Sequence, residues 1–566
     1  MSGGVVSASG PGAINAGDAG AAVASESAKI TATNPILPGC YPDPSICRVG
    51  EDYYLIASTF EYFPGLPIFH STDLANWRQI GHVITREDQL DYEGIRSSGG
   101  LYAPTIRHDG EKFWVVCTLV SHEGRHRGGN FVVTAPNING PWSNPVWLDV
   151  DGIDPSIFFD DDGKVWLHGT RLVTEPEWPQ QTETWLREYD PGARALVGPE
   201  HVLWTGAVRG AVWSEAPHIY RVDGQYYLLT AEGGTDFNHA VSVARAEKVT
   251  GPYVGAPMNP IFTHRHLGRE YPIVGAGHAD LVEARDGSWW AVLLAMRPYG
   301  GYHYNLGRET FLVPVVWEEG WPTFAPGVGR IMDEVPVPFR GEGAAVGGED
   351  VVRGNAATRG DTAPDRSPAG GLLTADDMRW TTLRGPIDFA EALDDGWRMA
   401  MRPTTLADAS RPALLAVRQQ HRDVQVRAEM STALAPGEEV GVVVRQSEDN
   451  HVRCCVVRDP DGGGLEFLAV HRIKGQDRVL ERVVVPTERA AAAESGPFQF
   501  EISARGQDYQ VRAGYAELIA PFDGRSLDST ATGGFLGLWF GVYATSNGRE
   551  TETSVDLTRF VYEARE

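Results

Sequence analysis

The chain of 566 residues carries a formal net charge of −26, which argues against a nucleic-acid partner demanding a basic face and leaves a neutral ligand as the easier fit. That length is too great for a single core, so two domains are expected. No run of about 18 apolar residues occurs, so no membrane-spanning segment is expected.

Residues 1–33 are mostly Gly, Ala and Ser, without the basic start and apolar stretch of a secretory signal, and read as a disordered leader. The five cysteines, Cys40, Cys47, Cys117, Cys454 and Cys455, lack CxxC spacing or a partnering His pattern. They read as reduced, buried thiols of a cytoplasmic protein.

From residue 34 to 340 one pattern recurs. YPDPSI (41–46) is echoed by YAPTI (102–106), IDPSI (153–157), EAPHI (215–219) and GHADL (277–281). A polar turn, usually containing Asp-Gly, and a second run rich in aromatic and β-branched residues follow each echo, which is the signal of a hairpin. Five such units at roughly 50 to 60 residues predict a five-bladed β-propeller.

Aligned on Pro44, Pro104, Pro155, Pro217 and Ala279, the preceding position holds Asp43, Ala103, Asp154, Ala216 and His278, with Glu215 one residue earlier. Three carboxylates are thereby predicted at one mouth of one central channel. A single Asp-Pro reads as a turn leading into a strand. Three acids in register read as a site, because burying unpaired charge is costly.

Between the echoes, the aromatic loop FEYFPG (60–65) cannot be a central strand; it either covers a blade edge or offers a flat platform to a sugar ring. The Gly-rich loop SHEGRHRGGN (121–130) reads as solvated, and the insertion at 171–186 as part of the rim. After the fifth hairpin, Arg297 and Arg308 are both candidate wall residues, since an arginine near carboxylates holds them ionised.

Residues 341–372, rich in Gly, Ala, Pro and charge, read as a linker. The remainder, 373–566, has alternating strand-length stretches without the echo, and predicts an all-β second domain, a jelly-roll β-sandwich. Its Phe535, Trp539 and Phe540 are placed in one strand.

Two carboxyl groups flanking a glycosidic bond are what glycoside hydrolysis requires, and a third can raise the pKa of the proton donor. Glu215, with the longer side chain, is the natural donor.

These motifs, together with STFEYFPG, SGGLYAP, AEGGT, GHADLV, LGRET and the late LLAVRQQH and GGFLGLW, resemble glycoside hydrolase family 43, in particular its two-domain β-xylosidases. The resemblance implies single displacement with inversion, with Asp43 as general base, Glu215 as general acid and Asp154 as modulator of Glu215. It also implies a terminal-sugar pocket walled by Phe60, Tyr102, Thr235 and Arg308 and closed by Phe535 from the sandwich. His278 resembles a histidine at the propeller centre, where some members bind calcium and others use water; no other cofactor is implied. Tyr102 stands where many relatives have Trp, which leaves the choice between xylose and arabinose open.

The expected activity is exo-β-1,4-xylosidase on xylooligosaccharides, with α-L-arabinofuranosidase as the alternative and a homo-oligomer as a possible assembly. Two competitors are a retaining fructan or sucrose hydrolase, whose NDPNG start, RDP triplet and E-C pair are here YPDPS, IDP and SEA, and a catalytically silent glycan-binding propeller.

Overall fold

The computed structural model describes residues 29–121, 128–340, 371–394, 396–461 and 463–565. Each echo opens an antiparallel sheet as its first strand: Ser45–Val49, Thr105–His108, Ile153–Phe159, Glu215–Val222 and Val274–Glu283. Asp-Gly and related turns join each first strand to an apolar second strand, such as Phe113–Val120 or Trp289–Met296, and two further antiparallel segments, three in the second and fourth sheets, complete each sheet. First strands of successive sheets touch one another, and that of the fifth sheet touches that of the first, so the five sheets close a ring.

The residue after each anchor position faces the ring axis and is polar in all five sheets: Ser45, Thr105, Ser156, His218 and Asp280. Arg107 joins them by a bidentate pair with Asp280, with nitrogen-to-oxygen distances of 2.8 and 2.8 Å. Ser45 Oγ donates to Asp280 at 2.6 Å and the Tyr220 hydroxyl at 2.6 Å. Burial alone would raise the Asp280 carboxyl, but Arg107, His218 and Ser45 hold it far below the usual carboxylate value. Asp280→Ala strands Arg107 as an unpaired buried cation. The variant is expected to lose about 3 to 5 kcal/mol, read as a lowered midpoint of urea unfolding.

The seam between the fifth and first sheets differs from the expectation for residues 1–33. Lys29–Thr33 is a strand, antiparallel to Glu334–Arg340, not leader. Ala32, Val335, Val337 and Phe339 pack with Tyr53, Trp290 and Leu312 of the two adjoining sheets, so this ribbon covers the joint. Residues 1–28 lie outside the described residues. So do 122–127 of the Gly-rich loop and 341–370 of the expected linker, whose last two residues, Gly371–Leu372, instead pair with Ser554–Ala564.

The second half packs two antiparallel sheets face to face. One contains Asp423–Ser431, Phe498–Arg505 and Ser554–Ala564; the other contains Trp539–Thr545, Glu439–Arg445 and His451–Arg458. The alternation in DVQVRAEMS becomes strictly buried-in, half-exposed-out along Asp423–Ser431, and Val426, Phe500, Val442 and Phe540 share the core between the layers.

The outer face of the second sheet sits on the ring. Tyr62 stacks on Trp539 with centroids 4.0 Å apart and planes at 7°, and Tyr62–Phe63 pairs with Thr382–Leu383 across the boundary. FEYFPG therefore does double duty: Tyr62 and Phe63 bind the sandwich, and Phe60 faces a pocket. Arg445, fully buried at this boundary, donates to the Tyr62 hydroxyl at 3.0 Å and to Ser97 Oγ at 3.1 Å, beside Glu61 and Glu448.

Candidate active site

The backbone at the anchors explains why the acids point where they do. Asp43, Asp154, Ala216 and His278 all take left-handed conformations, with φ of 55°, 53°, 52° and 53°. The strand register slips at the same places in the third, fourth and fifth sheets. Such a bulge re-aims side chains out of the pleat, and a left-handed non-glycine residue costs on the order of 1 kcal/mol that the surrounding sheet must offset. Here the irregularity turns Asp43, Asp154, Glu215 and His278 into one cavity of about 600 Å³, together with Phe60, Tyr102, Thr235, Arg308 and Phe535.

The three carboxyls are held in different electrostatic states. Asp43 is 5 % exposed. It accepts from Ser58 Oγ at 2.6 Å and from Arg308 at 3.0 Å, and His278 Nδ1 lies 3.5 Å away. Burial pulls its pKa up, but Arg308, His278 and Ser58 together bring it below the ordinary aspartate value. Asp154 accepts the Ala216 backbone N–H at 3.1 Å. Burial and then the Asp43 charge outweigh His278 and push it up to about 6. Glu215 has no cation at hydrogen-bond distance among the described residues; burial, then the charges of Asp154 and Asp43, raise it well above the usual glutamate value. The arrangement biases Asp43 toward the ionised form and Glu215 toward keeping its proton, with Asp154 raised between them.

Opposite the acids, Phe60 and Phe535 lie nearly parallel at 6.1 Å, and Tyr102 meets both edge-on at 5.7 and 5.9 Å. Arg308 sits 5.3 Å from the Phe535 centroid. It donates to Thr235 Oγ1 at 3.1 Å and leaves its buried Nε without a partner among the described residues, a donor available to a ligand hydroxyl. The Tyr102 hydroxyl, absent in a Trp, donates to Ser98 O at 2.9 Å, while Ser98 Oγ accepts the Phe535 N–H at 3.0 Å. The Tyr102 hydroxyl thus holds Ser98, and Ser98 Oγ ties ring to sandwich. Gly100, with φ of 91°, is required beside it: a Cβ there would lie 2.2 Å from Phe60 O.

Two sequence expectations are corrected here. Phe535 is not in the strand with Trp539 and Phe540, which begins at Trp539; it precedes that strand on a loop that approaches the ring so closely that a Cβ on Gly537 would meet Gly307 N at 2.8 Å. Arg297 does not line this cavity: it forks onto Glu309 at 2.6 and 2.8 Å. Phe535→Ala removes part of the aromatic wall of the cavity and is expected to raise KM roughly tenfold, about 1.4 kcal/mol, with a smaller change in kcat, as read from steady-state kinetics.

The structure adds Gln180 and Trp213, which line the same cavity beside Glu215. Both are left-handed, with φ of 59° and 49°, and Trp213 N donates to Gln180 O at 3.1 Å. Trp213 stands two residues before Glu215 in WSEAP; Gln180 lies in the insertion read as rim, though nothing in the sequence singled it out.

The calcium expectation at His278 does not fit the side chains around it. A hard cation wants six to eight oxygen donors, whereas Asp43, the acid nearest His278, is already engaged by Ser58 and Arg308. No group of three His, Cys, Asp or Glu side chains among the described residues could hold an ion.

Comparison with known proteins follows the same division of the chain. Residues 32–322 match the Glycosyl hydrolases family 43 profile, and residues 375–563 match the Beta xylosidase C-terminal Concanavalin A-like domain. A xylosidase/arabinosidase from Butyrivibrio fibrisolvens is 38 % identical over 94 % of this chain and 99 % of its own. A non-reducing end alpha-L-arabinofuranosidase from Bacteroides ovatus is 33 % identical over 94 % of this chain and 95 % of its own. Among solved structures, a xylan beta-1,4-xylosidase from Bacillus halodurans superposes with a TM-score of 0.81 at 30 % identity, covering 94 % of this chain and 100 % of that one.

Proposed function

The chain belongs to glycosyl hydrolases family 43, and on that premise we propose that it is an inverting exo-β-xylosidase releasing single xylose units from the non-reducing ends of β-1,4-xylooligosaccharides. The observation that carries this reading is the convergence of Asp43, Asp154 and Glu215 on one aromatic-walled cavity, where the surroundings push Asp43 toward the ionised form and Glu215 toward the protonated one. A terminal pentose lies in the cavity against the aromatic wall of Phe60, Tyr102 and Phe535, with Arg308 Nε toward a ring hydroxyl. Water attacks the anomeric carbon from the Asp43 side, and the Asp43 carboxylate accepts its proton. The bond to the leaving oxygen breaks as Glu215 donates its proton to that oxygen, so the anomeric configuration inverts. Asp154, pinned by the Ala216 N–H beside Glu215, keeps negative charge near the donor and so keeps it protonated. Gln180 and Trp213 form the wall met by the departing part of the chain.

One observation favours α-L-arabinofuranosidase as the second reading. The relative from Bacteroides ovatus, similar along nearly the whole chain, is named for that activity. Five buried, unpaired thiols support a reducing compartment. The test is a panel of p-nitrophenyl β-D-xyloside, p-nitrophenyl α-L-arabinofuranoside and xylooligosaccharides. The xylosidase reading expects kcat/KM on the xyloside to exceed that on the arabinofuranoside, with xylose and xylobiose formed in equal amounts from xylotriose at early times. A reversed ratio with no xylose from xylotriose replaces it by the second reading.

A further inference from the structure

We infer that the sandwich carries a second sugar site, a polar pocket that takes one free neutral monosaccharide of pentose size. It lies on the outer face of the sheet that packs against the ring, where the apolar patch of Val443, Cys455 and Trp539 gives way to charged side chains. The cavity is about 170 Å³ and is walled by Glu439, His451, Arg453, Arg472, Asp477 and Tyr543, with residues 405–407 at its edge. A water takes about 30 Å³ of liquid, so the space corresponds to roughly six waters, the size of one sugar ring.

The walls are built rather than merely solvated. Glu439, His451 and Tyr543 are 6, 1 and 2 % exposed, and buried polar groups of this kind require partners. Arg453 pairs with Glu439 at 3.2 Å and with Asp477 at 3.0 Å; Arg472 pairs with Asp477 at 2.8 Å. Two cations therefore balance two anions. Burial holds His451 down to about 3, so its ring is neutral; with Nδ1 bonded to Ser447 O at 3.1 Å, Nε2 is a bare acceptor without a partner among the described residues. Each guanidinium also keeps one terminal nitrogen uncommitted among the described residues. Donors and an acceptor around a space of zero net charge match hydroxyl groups, which give and accept at once. An anion would have to sit against Glu439 and Asp477.

The choice of xylose and arabinose as probes rests on the proposed function; the pocket's chemistry does not. Isothermal titration of the full chain with D-xylose, L-arabinose and inorganic phosphate, beside Ala407→Phe, which fills the cavity from its edge, tests the site. Two equivalents of pentose are expected for the wild type and one for Ala407→Phe. The inhibition constant of xylose against aryl-xyloside hydrolysis should change less than twofold. A single equivalent in both proteins, or phosphate displacing the pentose from the second site, overturns the inference. In the wild type, hydrogen exchange at 405–407 should slow at saturating pentose, and no slowing overturns it even if Ala407→Phe does not fold. Failure of the activity reading appears separately, as inert aryl glycosides with the sandwich equivalent still present.

Discussion

Glu215→Gln is expected to lower kcat on xylobiose by about 10³-fold and to leave activated aryl xylosides far less affected. The amide keeps the shape and loses the proton, and general acid catalysis contributes about 10² to 10⁴-fold when the leaving group is a poor one. A leaving phenolate of low basicity needs no such help. The pH profile gives a second readout. Activity needs Glu215 protonated, and its pKa lies well above the ordinary value because of burial and the Asp154 and Asp43 charges. Activity therefore falls as pH rises through that value, and this alkaline limb should vanish in Glu215→Gln on the aryl substrate. The acid limb belongs to Asp43, held below its ordinary pKa, and should persist.

Asp43→Asn should cost at least as much, about 10⁴-fold in kcat, on every substrate whatever its leaving group. The amide oxygen can still accept from Arg308, but the buried guanidinium loses its paired charge, so the thermal midpoint is expected to fall while the fold, checked by circular dichroism, persists. The loss comes from the attacking water, which has no base left to accept its proton. Azide, a nucleophile that carries no proton to remove, should partly restore turnover and yield a glycosyl azide of inverted configuration. An equal loss on all substrates with rescue separates Asp43 from Glu215, whose loss depends on the leaving group.

The echoes were legible because each hairpin is local: an apolar run, an Asp-Gly turn and a second apolar run lie within about 20 residues, and the repeat sets their register. Asp43, Asp154 and Glu215 followed from that register alone. What was not legible depends on distant partners or irregular backbone. Lys29–Thr33 finds its strand partner some 300 residues on, and its five residues KITAT, at the end of a Gly-Ala-Ser stretch, are too short to announce it. Phe535 was drawn into the strand by the apolar run FLGLWFGVYA, yet the close approach of Gly537 to Gly307 bends that run into the pocket. Trp213 and Gln180 take their places from left-handed residues in loops, which have no period to read. Arg297 and Arg308 look alike in sequence and part company only through Glu309 and Asp43. The Arg107–Asp280 pair closes the axis of the ring through side chains from different sheets, a relation that the echoes align but do not connect.

The account depends on a water standing between the base and the sugar, so the most direct measurement is the anomeric configuration of the first product, followed by proton NMR within seconds of mixing enzyme and aryl β-D-xyloside. α-Xylose appearing first, with the β-anomer growing only by mutarotation, is the predicted result. β-Xylose appearing first would mean that a carboxylate bonds to the sugar, and would contradict the roles given to Asp43 and Glu215.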